Sequence, residues 1–264
     1  MMIDLHSHIL PGVDDGARTI EESMDMIRAA RDQGFRGIIL TPHYIANTDY
    51  QSRVKENKAL FKALKKTVKD QGIDLFLFLG NEVCYRVGIL KLIENGDFTT
   101  MNGSRYFLIE TKSHLPDLFN FEAFLFKLQL KGYTTIIAHP ERYDFVQKDP
   151  NVLGNLVAKG SLAQMNILSL TGFYGTRAQA CAEILLTHNM VHFLASDAHK
   201  PKSYEEFAIA RERAIDLVGE KKVSQMLKEN PGRVLVDEAI NISEPKRYEE
   251  SKKRKRSLKS LWEK

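Results

Sequence analysis

Two histidines and two aspartates lie close together near the amino terminus, in the segment Asp4-Leu-His-Ser-His-Ile-Leu-Pro-Gly-Val-Asp-Asp-Gly16. Alternate residues of an extended chain share a face, so His6 and His8 can point the same way if a strand ends there. Asp14 and Asp15 follow in a loop that proline and glycine turn sharply. Imidazole and carboxylate groups at this spacing are typical metal ligands. A His-X-His segment taken alone, however, is explained about equally well as an exposed polar strand end.

The elements that must position these residues can be read along the rest of the chain. Short apolar runs typical of buried parallel strands alternate with helical segments seven times, and Thr19 with Glu22 forms a capping box before the first helix. Six of the seven predicted strands end on a histidine or a carboxylate, which packing does not explain. These six strand-end residues are His6, His43, Glu82, Glu110, His139 and Asp197.

Seven strand and helix alternations predict an α/β fold with a parallel sheet, and the count favours a closed or nearly closed barrel over an open sheet. A chain of 264 residues is long enough to form such a barrel as one unit. Barrels of this class build their active sites at the carboxyl ends of the strands, where the six residues stand. The fold prediction and the chemistry therefore point to the same place.

Five of the eight histidines and four carboxylates are candidate ligands at these strand ends. Mixed imidazole and carboxylate ligands suit Mn, Fe or Zn, and nine candidates are too many for one ion. A cluster of two or three metals fits the number, and such clusters clamp phosphoryl oxygens, so phosphoester hydrolysis is the natural reaction. The nine candidates are His6, His8, Asp15, His43, Glu82, Glu110, His139, Asp197 and His199.

Composition narrows the class of protein. No apolar run approaches the roughly 20 residues that span a bilayer, and the chain begins directly with its first predicted strand, so we expect a cytoplasmic protein. Cys84 and Cys181 form no pair motif, which is consistent with free thiols in a reducing compartment. The residues six positions after them are Leu90 and Thr187, not arginine, so the thiolate-dependent type of tyrosine phosphatase is excluded.

The basic character of the chain belongs to its carboxyl-terminal segment. From Lys246 to Lys264 nine Lys or Arg residues stand against three Glu residues, a balance of +6, whereas the whole chain carries +4 and the preceding part therefore about −2. We predict a barrel domain over residues 1–240 and a basic, disordered tail over residues 241–264. The near-neutral body gives little support to nucleic-acid binding.

Two interpretations of the tail remain open. A solubilising tail is the simpler one. The alternative is weak contact with an anionic membrane surface, to which each basic residue near the surface contributes about 1 kcal/mol. Three apolar residues near the end have the spacing of a short amphipathic segment, namely Leu258, Leu261 and Trp262.

The motifs around the candidate ligands resemble those of the polymerase and histidinol phosphatase (PHP) superfamily. Within it the chain is most similar to the bacterial metal-dependent protein-tyrosine phosphatases of capsule and exopolysaccharide synthesis, up to about Ile240. The resemblance implies a distorted (β/α)7 barrel, in agreement with the seven alternations. Besides the amino-terminal segment, the motifs are Thr-Pro-His43, Gly-Asn-Glu82, Leu-Ile-Glu110, Ile-Ala-His-Pro-Glu-Arg142 and Ala-Ser-Asp-Ala-His199.

The resemblance also implies a division of the ligands among ions, manganese being the metal implied and Fe or Zn fitting as well. The first ion would be held by His6, His8, Glu110 and Asp197. The second would be held by Glu82, Glu110 and His139, with Glu110 bridging. The third would be held by Asp15, His43 and His199, and Asp14 is an alternative to its neighbour Asp15.

Arg142 resembles the catalytic arginine of the family, whose guanidinium would grip a phosphate bidentately. The simpler interpretation of Arg142 is a salt bridge to Glu141 or Asp144. The substrate implied is a phosphotyrosine protein, and the partner implied is a membrane-associated tyrosine kinase. The remaining histidines, His114, His188 and His192, are expected to be surface or packing residues.

Two other functions are compatible with the same residues. One is a small-molecule phosphatase, such as one acting on histidinol phosphate, or a nuclease of the PHP type; substrate choice separates these from a protein phosphatase. The other is a metal-bound regulatory module without turnover, because a barrel fold does not by itself guarantee chemistry.

Overall fold

The structure is a computed structural model that describes residues 1–51, 53–86, 88–112 and 117–249. Nine β-strands lie within these residues, and all their pairings are parallel. The strands are β1 Met2–Ser7, β2 Phe35–Leu40, β3 His43–Tyr44, β4 Phe76–Leu79, β5 Glu82–Cys84, β6 Tyr106–Glu110, β7 Thr134–Ala138, β8 Leu162–Asn166 and β9 Phe193–Ala195.

Two of the seven predicted strands are interrupted, which raises the number to nine. Pro42 separates β2 from β3 because proline has no N–H to donate to the ladder. Gly80 and Asn81 separate β4 from β5, and the Asn81 side chain donates to the Pro42 carbonyl over 2.9 Å. A Cβ on Gly80 would lie 2.9 Å from the sulfur of Met101, so a larger residue there would have to displace the methionine side chain. Each interrupted pair occupies one position in the barrel.

The strands form a ring with a seam at one place. The sheet orders are β1-β2-β4 and β3-β5-β6-β7-β8-β9. At the seam Ser7 pairs in parallel with Ala198, and the Asp197 amide donates to the His6 carbonyl over 3.0 Å. The interruptions and the seam distort the ring, and the predicted (β/α)7 type of barrel is confirmed.

Helices surround the strands. Thr19 caps the first helix and accepts from the Glu22 amide, as the capping box predicts. Near the carboxyl end of the barrel domain a short α-helix continues into a π-helical turn, Gln225–Glu229. None of the helices in the described ranges has the length and apolar character needed to cross a membrane. The helices are α1 Ile20–Asp32, α2 Val54–Asp70, α3 Ile89–Glu94, α4 Leu118–Leu130, α5 Asp144–Lys148, α6 Asn151–Ala158, α7 Thr176–Thr187, α8 Phe207–Val218, α9 Glu220–Ser224 and α10 Asn230–Leu235.

The core has two parts. The larger fills the space between the strands and the surrounding helices, and the smaller fills the barrel with alternate strand residues such as Leu5, Leu108 and Phe193. The register of β1 against β2 shifts between Asp4 and Ser7. Such an irregularity re-aims side chains, and it lets His6 face the same interior as Leu5.

The first part of the predicted tail runs along the body without a regular element. The Lys246 amide donates to the His188 carbonyl over 2.8 Å, and the Asn151 side chain exchanges hydrogen bonds with the backbone of Tyr248. The predicted amphipathic spacing of Leu258, Leu261 and Trp262 lies outside the described residues. The division into a barrel and a tail stays a prediction.

Candidate metal centre

All ten predicted site residues lie together at the carboxyl ends of the strands. Four of the six strand-end residues lie near the end of a strand or just after it, as expected, whereas His43 and Glu82 open the short strands that follow the two interruptions. The loops after β1 and β9 bring three more candidates beside them. The cluster comprises His6 in β1, His43 opening β3, Glu82 opening β5, Glu110 ending β6, His139 and Arg142 after β7, Asp197 and His199 after β9, and His8 and Asp15 after β1.

The buried part of the cluster surrounds two facing imidazoles. His6 Nε2 and His8 Nε2 are 3.1 Å apart. Asp197 Oδ1 lies 3.4 Å from the first nitrogen and 3.3 Å from the second, and Glu82 Oε2 lies 3.4 and 3.5 Å from them. All four side chains are almost completely buried. Two ring nitrogens and two carboxylate oxygens thus converge on one small volume.

The outer part of the cluster opens towards solvent. Asp15 Oδ1 lies 3.3 Å from His199 Nε2 and 3.5 Å from His43 Nε2, and its side chain is 50% exposed. Glu110 Oε1 lies 3.5 Å from His43 Nδ1. A ligand can therefore approach the cluster from the side of Asp15.

Glu82 connects the two parts. Its Oε2 lies 2.9 Å from His43 Nδ1, and its Oε1 lies 2.8 Å from His139 Nε2. Glu82 thus faces ring nitrogens of four histidines, a position suited to a carboxylate that bridges the ions of a cluster.

Three overlapping groups have ligand atoms within 4.8 Å of one another: His8, Asp15, His43 and His199; His6, His8 and Glu82; and His43, Glu82 and Glu110. In this geometry Glu110 is grouped with His43, while the resemblance places it with His6 and with His139. The division of ligands among ions stays a prediction.

Asp14 orients other members of the cluster. Its Oδ2 accepts from His8 Nδ1 over 2.8 Å and from the His43 amide over 3.0 Å, and its Oδ1 accepts from the Gly16 amide. The Nδ1 proton of His8 is thereby fixed, and its Nε2 lone pair faces the cluster. Of the two adjacent aspartates, Asp15 is the one grouped with ligand atoms.

Two amides on β8 were missed by the sequence reasoning. His6 Nδ1 donates to Gln164 Oε1 over 2.8 Å, Gln164 Nε2 donates to Asn166 Oδ1, and Asn166 Nδ2 donates to Asp197 Oδ2 over 2.7 Å. This chain fixes the His6 tautomer and leaves Asp197 Oδ1 to face the ring nitrogens. The signal in the sequence is a pair of amides at alternate positions of a buried strand.

The residues present fit a group of divalent cations. Three buried atoms find no partner with hydrogen-bond geometry among the described residues, namely His43 Nδ1, Glu82 Oε2 and His139 Nδ1, although the first two lie only 2.9 Å apart. Buried carboxylates are costly unless positive charge compensates them, and four carboxylates here face one arginine and five imidazoles. Imidazole and carboxylate donors at this density match the ligand preference of first-row transition metals.

The charges of the carboxylates draw protons into the site. Burial lowers the pKa of His43, but the charge of Glu82 and the hydrogen bond to Asp15 outweigh it and raise this pKa to about 10. Burial and the neighbouring Glu82 charge raise the pKa of Glu110 to about 7. A divalent cation would compete with these protons for the same electron pairs.

Two of the candidate ligands sit on strained backbone. His139 has φ +33° and Asp197 has φ +51°, in the left-handed region that residues with a Cβ seldom adopt. The Arg142 amide holds the first turn by donating to the His139 carbonyl, and the bond between the Asp197 amide and the His6 carbonyl holds the second. Strain of this kind concentrates at functional sites, where the surrounding structure enforces it.

Arg142 lies at the edge of the cluster. Its Nη1 donates to Asp197 Oδ2 over 3.0 Å, and its guanidinium lies 4.7 Å from the centre of the Tyr174 ring. The Glu141 carboxylate accepts instead from the Asn166 amide and the Ser169 hydroxyl. The Arg142 side chain is 40% exposed, so part of its guanidinium group faces the solvent side of the site.

The other titratable candidates lie away from the site or are chemically inert. Cys84 and Cys181 are free and buried, and burial raises the pKa of Cys84 to about 12, which suppresses the thiolate. His192 Nδ1 accepts from the Ala163 amide, and His188 bonds to the Ile184 carbonyl, as expected of packing residues. His114 lies outside the described residues.

The fold and the site together define a class: an α/β-barrel protein with a histidine and carboxylate centre at the carboxyl ends of its strands. Comparison with known proteins gives the family. The chain belongs to the capsular polysaccharide synthesis CpsB/CapC family, whose model matches residues 2–236. The family predicted from the motifs is therefore confirmed.

Relatives in this family carry phosphatase names. The chain is 37% identical to the tyrosine-protein phosphatase YwqE of Bacillus subtilis over 203 residues, which cover 76% of this chain and 79% of the relative. It is 30% identical to the tyrosine-protein phosphatase CpsB of Streptococcus pneumoniae over 250 residues, which cover 90% of this chain and 100% of the relative. A crystal structure from work on YwqE and CpsB, described as metal-dependent tyrosine phosphatases, matches with a TM-score of 0.87 and 33% identity over 94% of this chain and all of that one.

More distant structures share the fold alone. The lactonase Lmo2620 of Listeria monocytogenes matches with a TM-score of 0.55 at 14% identity, covering 90% of this chain and 95% of its own. A likeness at that identity carries no information about the reaction.

Proposed function

We propose that this chain is a metal-dependent protein-tyrosine phosphatase. The observation that carries the proposal is the convergence of nine histidine and carboxylate side chains, with Arg142 at their open edge, in a member of the CpsB/CapC family. When bound, the ions supply Lewis acidity towards water and towards phosphoryl oxygens.

The chain's own residues divide the remaining work. Ions on the buried side would be held by His6, His8, Glu82, Glu110, His139 and Asp197, and ions on the open side by Asp15, His43 and His199. Arg142 would bind a nonbridging phosphate oxygen through the part of its guanidinium that faces solvent. A tyrosine leaving group has a pKa of about 10, so its departure needs less protonation than that of an alkoxide.

Manganese is the ion we propose, with two or three ions bound. The donor set consists of imidazole nitrogens and carboxylate oxygens, which suit Mn and also Fe or Zn. Metal analysis of the purified protein, followed by stripping and titration with each ion in turn, identifies the ion that restores activity at the lowest concentration.

We further propose that the phosphotyrosine lies on a membrane-associated tyrosine kinase of capsule synthesis, met on the cytoplasmic side. The basic tail, residues 241–264, would keep the barrel domain, residues 1–240, near the anionic inner leaflet. Binding to vesicles with and without anionic lipid tests the tail. If a variant that lacks residues 246–264 binds anionic vesicles as well as the full chain does, the tail has no such role.

The experiment that tests the function measures phosphate release by metal-stripped protein, with and without added Mn. The panel is a phosphotyrosine peptide, histidinol phosphate and a short single-stranded DNA. Mn-restored release from the peptide alone supports the proposal. Consumption of either other substrate without peptide turnover would replace it by a small-molecule phosphatase or a nuclease, and silence on all three would replace it by a regulatory module.

A further inference from the structure

A short loop that the sequence reasoning did not single out adjoins Arg142. It reads Gly172-Phe-Tyr-Gly175 and follows the turn Ile167–Thr171 beyond β8, on the side of the barrel that carries the site. Both glycines have positive φ, +82° and +90°, which glycine adopts without strain. The Gly172 amide donates to the Ser169 carbonyl and the Gly175 amide to the Gly172 carbonyl, so the loop is a tight, defined turn.

The second aromatic residue of the loop is anchored in the site. The Tyr174 ring lies against the guanidinium of Arg142, with 4.7 Å between the ring centre and Cζ. Arg142 in turn donates to Asp197. The position of this ring is therefore tied to the site through Arg142.

The first aromatic residue of the loop faces outwards. The Phe173 ring is 49% exposed and packs edge-on against Tyr174, with centroids 5.0 Å apart and planes at 73°. A single exposed phenylalanine is ordinary on a protein surface. This one differs because a glycine-bounded turn holds its ring against Tyr174, which itself lies against the arginine that would bind phosphate.

We infer that Phe173 is a specificity-determining residue: its ring forms an apolar wall on which the aromatic ring of a phosphotyrosine packs. The inference rests on the proposed function for the position of the phosphate. Tyr174 contacts both Arg142 and Phe173, so an aryl group on a phosphate bound by Arg142 would extend along Tyr174 to the Phe173 ring, whereas an alkyl group of one carbon would be too short to do so. An aromatic contact of this kind increases affinity about two- to tenfold.

The test compares two ligands with the same head group. Phenylphosphonate and methylphosphonate are not hydrolysed, so their binding to the Mn-loaded full chain is measured by calorimetry whether or not the protein turns over a peptide. The variant is Phe173→Ala. The matched control is Phe76→Ala. The Phe76 ring is similarly exposed, 57%, but lies at the amino end of β4, the end of the barrel opposite to the site.

We expect the wild-type chain and Phe76→Ala to prefer phenylphosphonate, and Phe173→Ala to lose about two- to tenfold of that preference with methylphosphonate binding unchanged. An unchanged preference in Phe173→Ala, or no preference in the wild-type chain, overturns the inference. Peptide turnover by the wild-type chain is measured separately. If Phe173→Ala loses the preference for phenylphosphonate but the wild-type chain does not hydrolyse the peptide, the role of Phe173 stands and the proposed function is wrong.

Discussion

Arg142 occupies the boundary between the buried cluster and solvent. One guanidinium nitrogen donates to Asp197, and the guanidinium carbon lies over the Tyr174 ring. The side chain is partly exposed, so the group can also be reached from solvent. A salt bridge to Asp197 also gives this arginine a structural role, so its contribution to turnover must be separated from its contribution to the site's integrity.

We expect Arg142→Ala to lower kcat/KM for a phosphotyrosine peptide roughly 100-fold, the size typical of removing one preorganised donor from a transition state. The metal content should stay at the wild-type level, because Asp197 keeps its hydrogen bond from Asn166. Both are measured on the same preparation, with Arg211→Ala, a surface arginine paired with Glu220, as the control. Unchanged turnover would remove Arg142 from the mechanism.

His43 links metal uptake to pH. Its pKa of about 10 lies above the ordinary value of 6.5, so its proton stabilises the metal-free fold fully below pH 6.5, and this stabilisation is lost as the pH rises through 10. A metal needs the neutral ring, so Mn binding at pH 7.5 should release protons, and Mn affinity should rise from pH 6.5 to 8.5.

Calorimetry of Mn binding in two buffers with different ionisation enthalpies measures this release. The variant His43→Gln should release fewer protons than the wild-type chain. A binding enthalpy that is the same in both buffers would contradict the expectation.

At the scale of single residues the sequence predicted which side chains meet but not what each one does. The strand-end rule brought His6, Glu82 and Asp197 together because parallel strands all end at the same edge. It could not separate Asp14 from Asp15, since adjacent residues share a loop and only the three-dimensional turn decides which one faces the imidazoles. The supporting amides Gln164 and Asn166 were not recognised because a buried amide is as often a packing residue.

At the scale of elements, the loop after β1 depends on one close approach. A Cβ on Gly16 would lie 2.0 Å from the His8 carbonyl oxygen, far inside contact distance. The loop also carries Asp14 and Asp15, so a displacement there moves one orienting residue and one candidate ligand together.

We expect Gly16→Ala to weaken Mn binding about 10- to 100-fold, the loss typical when groups that orient ligands are disturbed. Calorimetry on the metal-stripped protein measures it. Gly232→Ala in α10 is the control, because a Cβ there meets no atom within 4 Å. Equal affinity in both variants would show that the loop tolerates the displacement.

The number of strands was the part of the element prediction that the structure changed. Hydrophobic runs show where a strand can lie, but an interruption near a carboxyl end depends on a side chain from elsewhere, here Asn81 reaching the Pro42 carbonyl. Proline at position 42 is a local signal for such a break. Gly80 is a local signal for the second break, but its close neighbour Met101 lies about twenty residues away and could not be identified from the local sequence.

At the scale of the whole molecule, the barrel closes through a buried carboxylate. Asp4 accepts from the Ser196 amide and hydroxyl and from the Tyr204 hydroxyl, the last over 2.8 Å. These bonds join the first strand to the segment after the last one, directly behind His6 and Asp197.

We expect Tyr204→Phe to lower the free energy of unfolding by about 1.5–3 kcal/mol, the range for a hydrogen bond to a charged group. Urea unfolding of the metal-free protein measures it. Tyr106→Phe is the matched control, because its buried hydroxyl donates to the backbone carbonyl of Glu238 and its loss should cost only about 1 kcal/mol. Equal losses would mean that Asp4 is not a charged acceptor at the seam.

The closure of the ring has a consequence for how the protein is made. His6 is synthesised before Asp197, whose carboxylate faces its ring and which follows nearly two hundred residues later along the chain. During translation His6 and His8 are therefore present, with Asp14 and Asp15 close behind them, before Asp197 has been made. The complete centre can form only after the last strand has emerged, so metal loading is a late event in the maturation of each molecule.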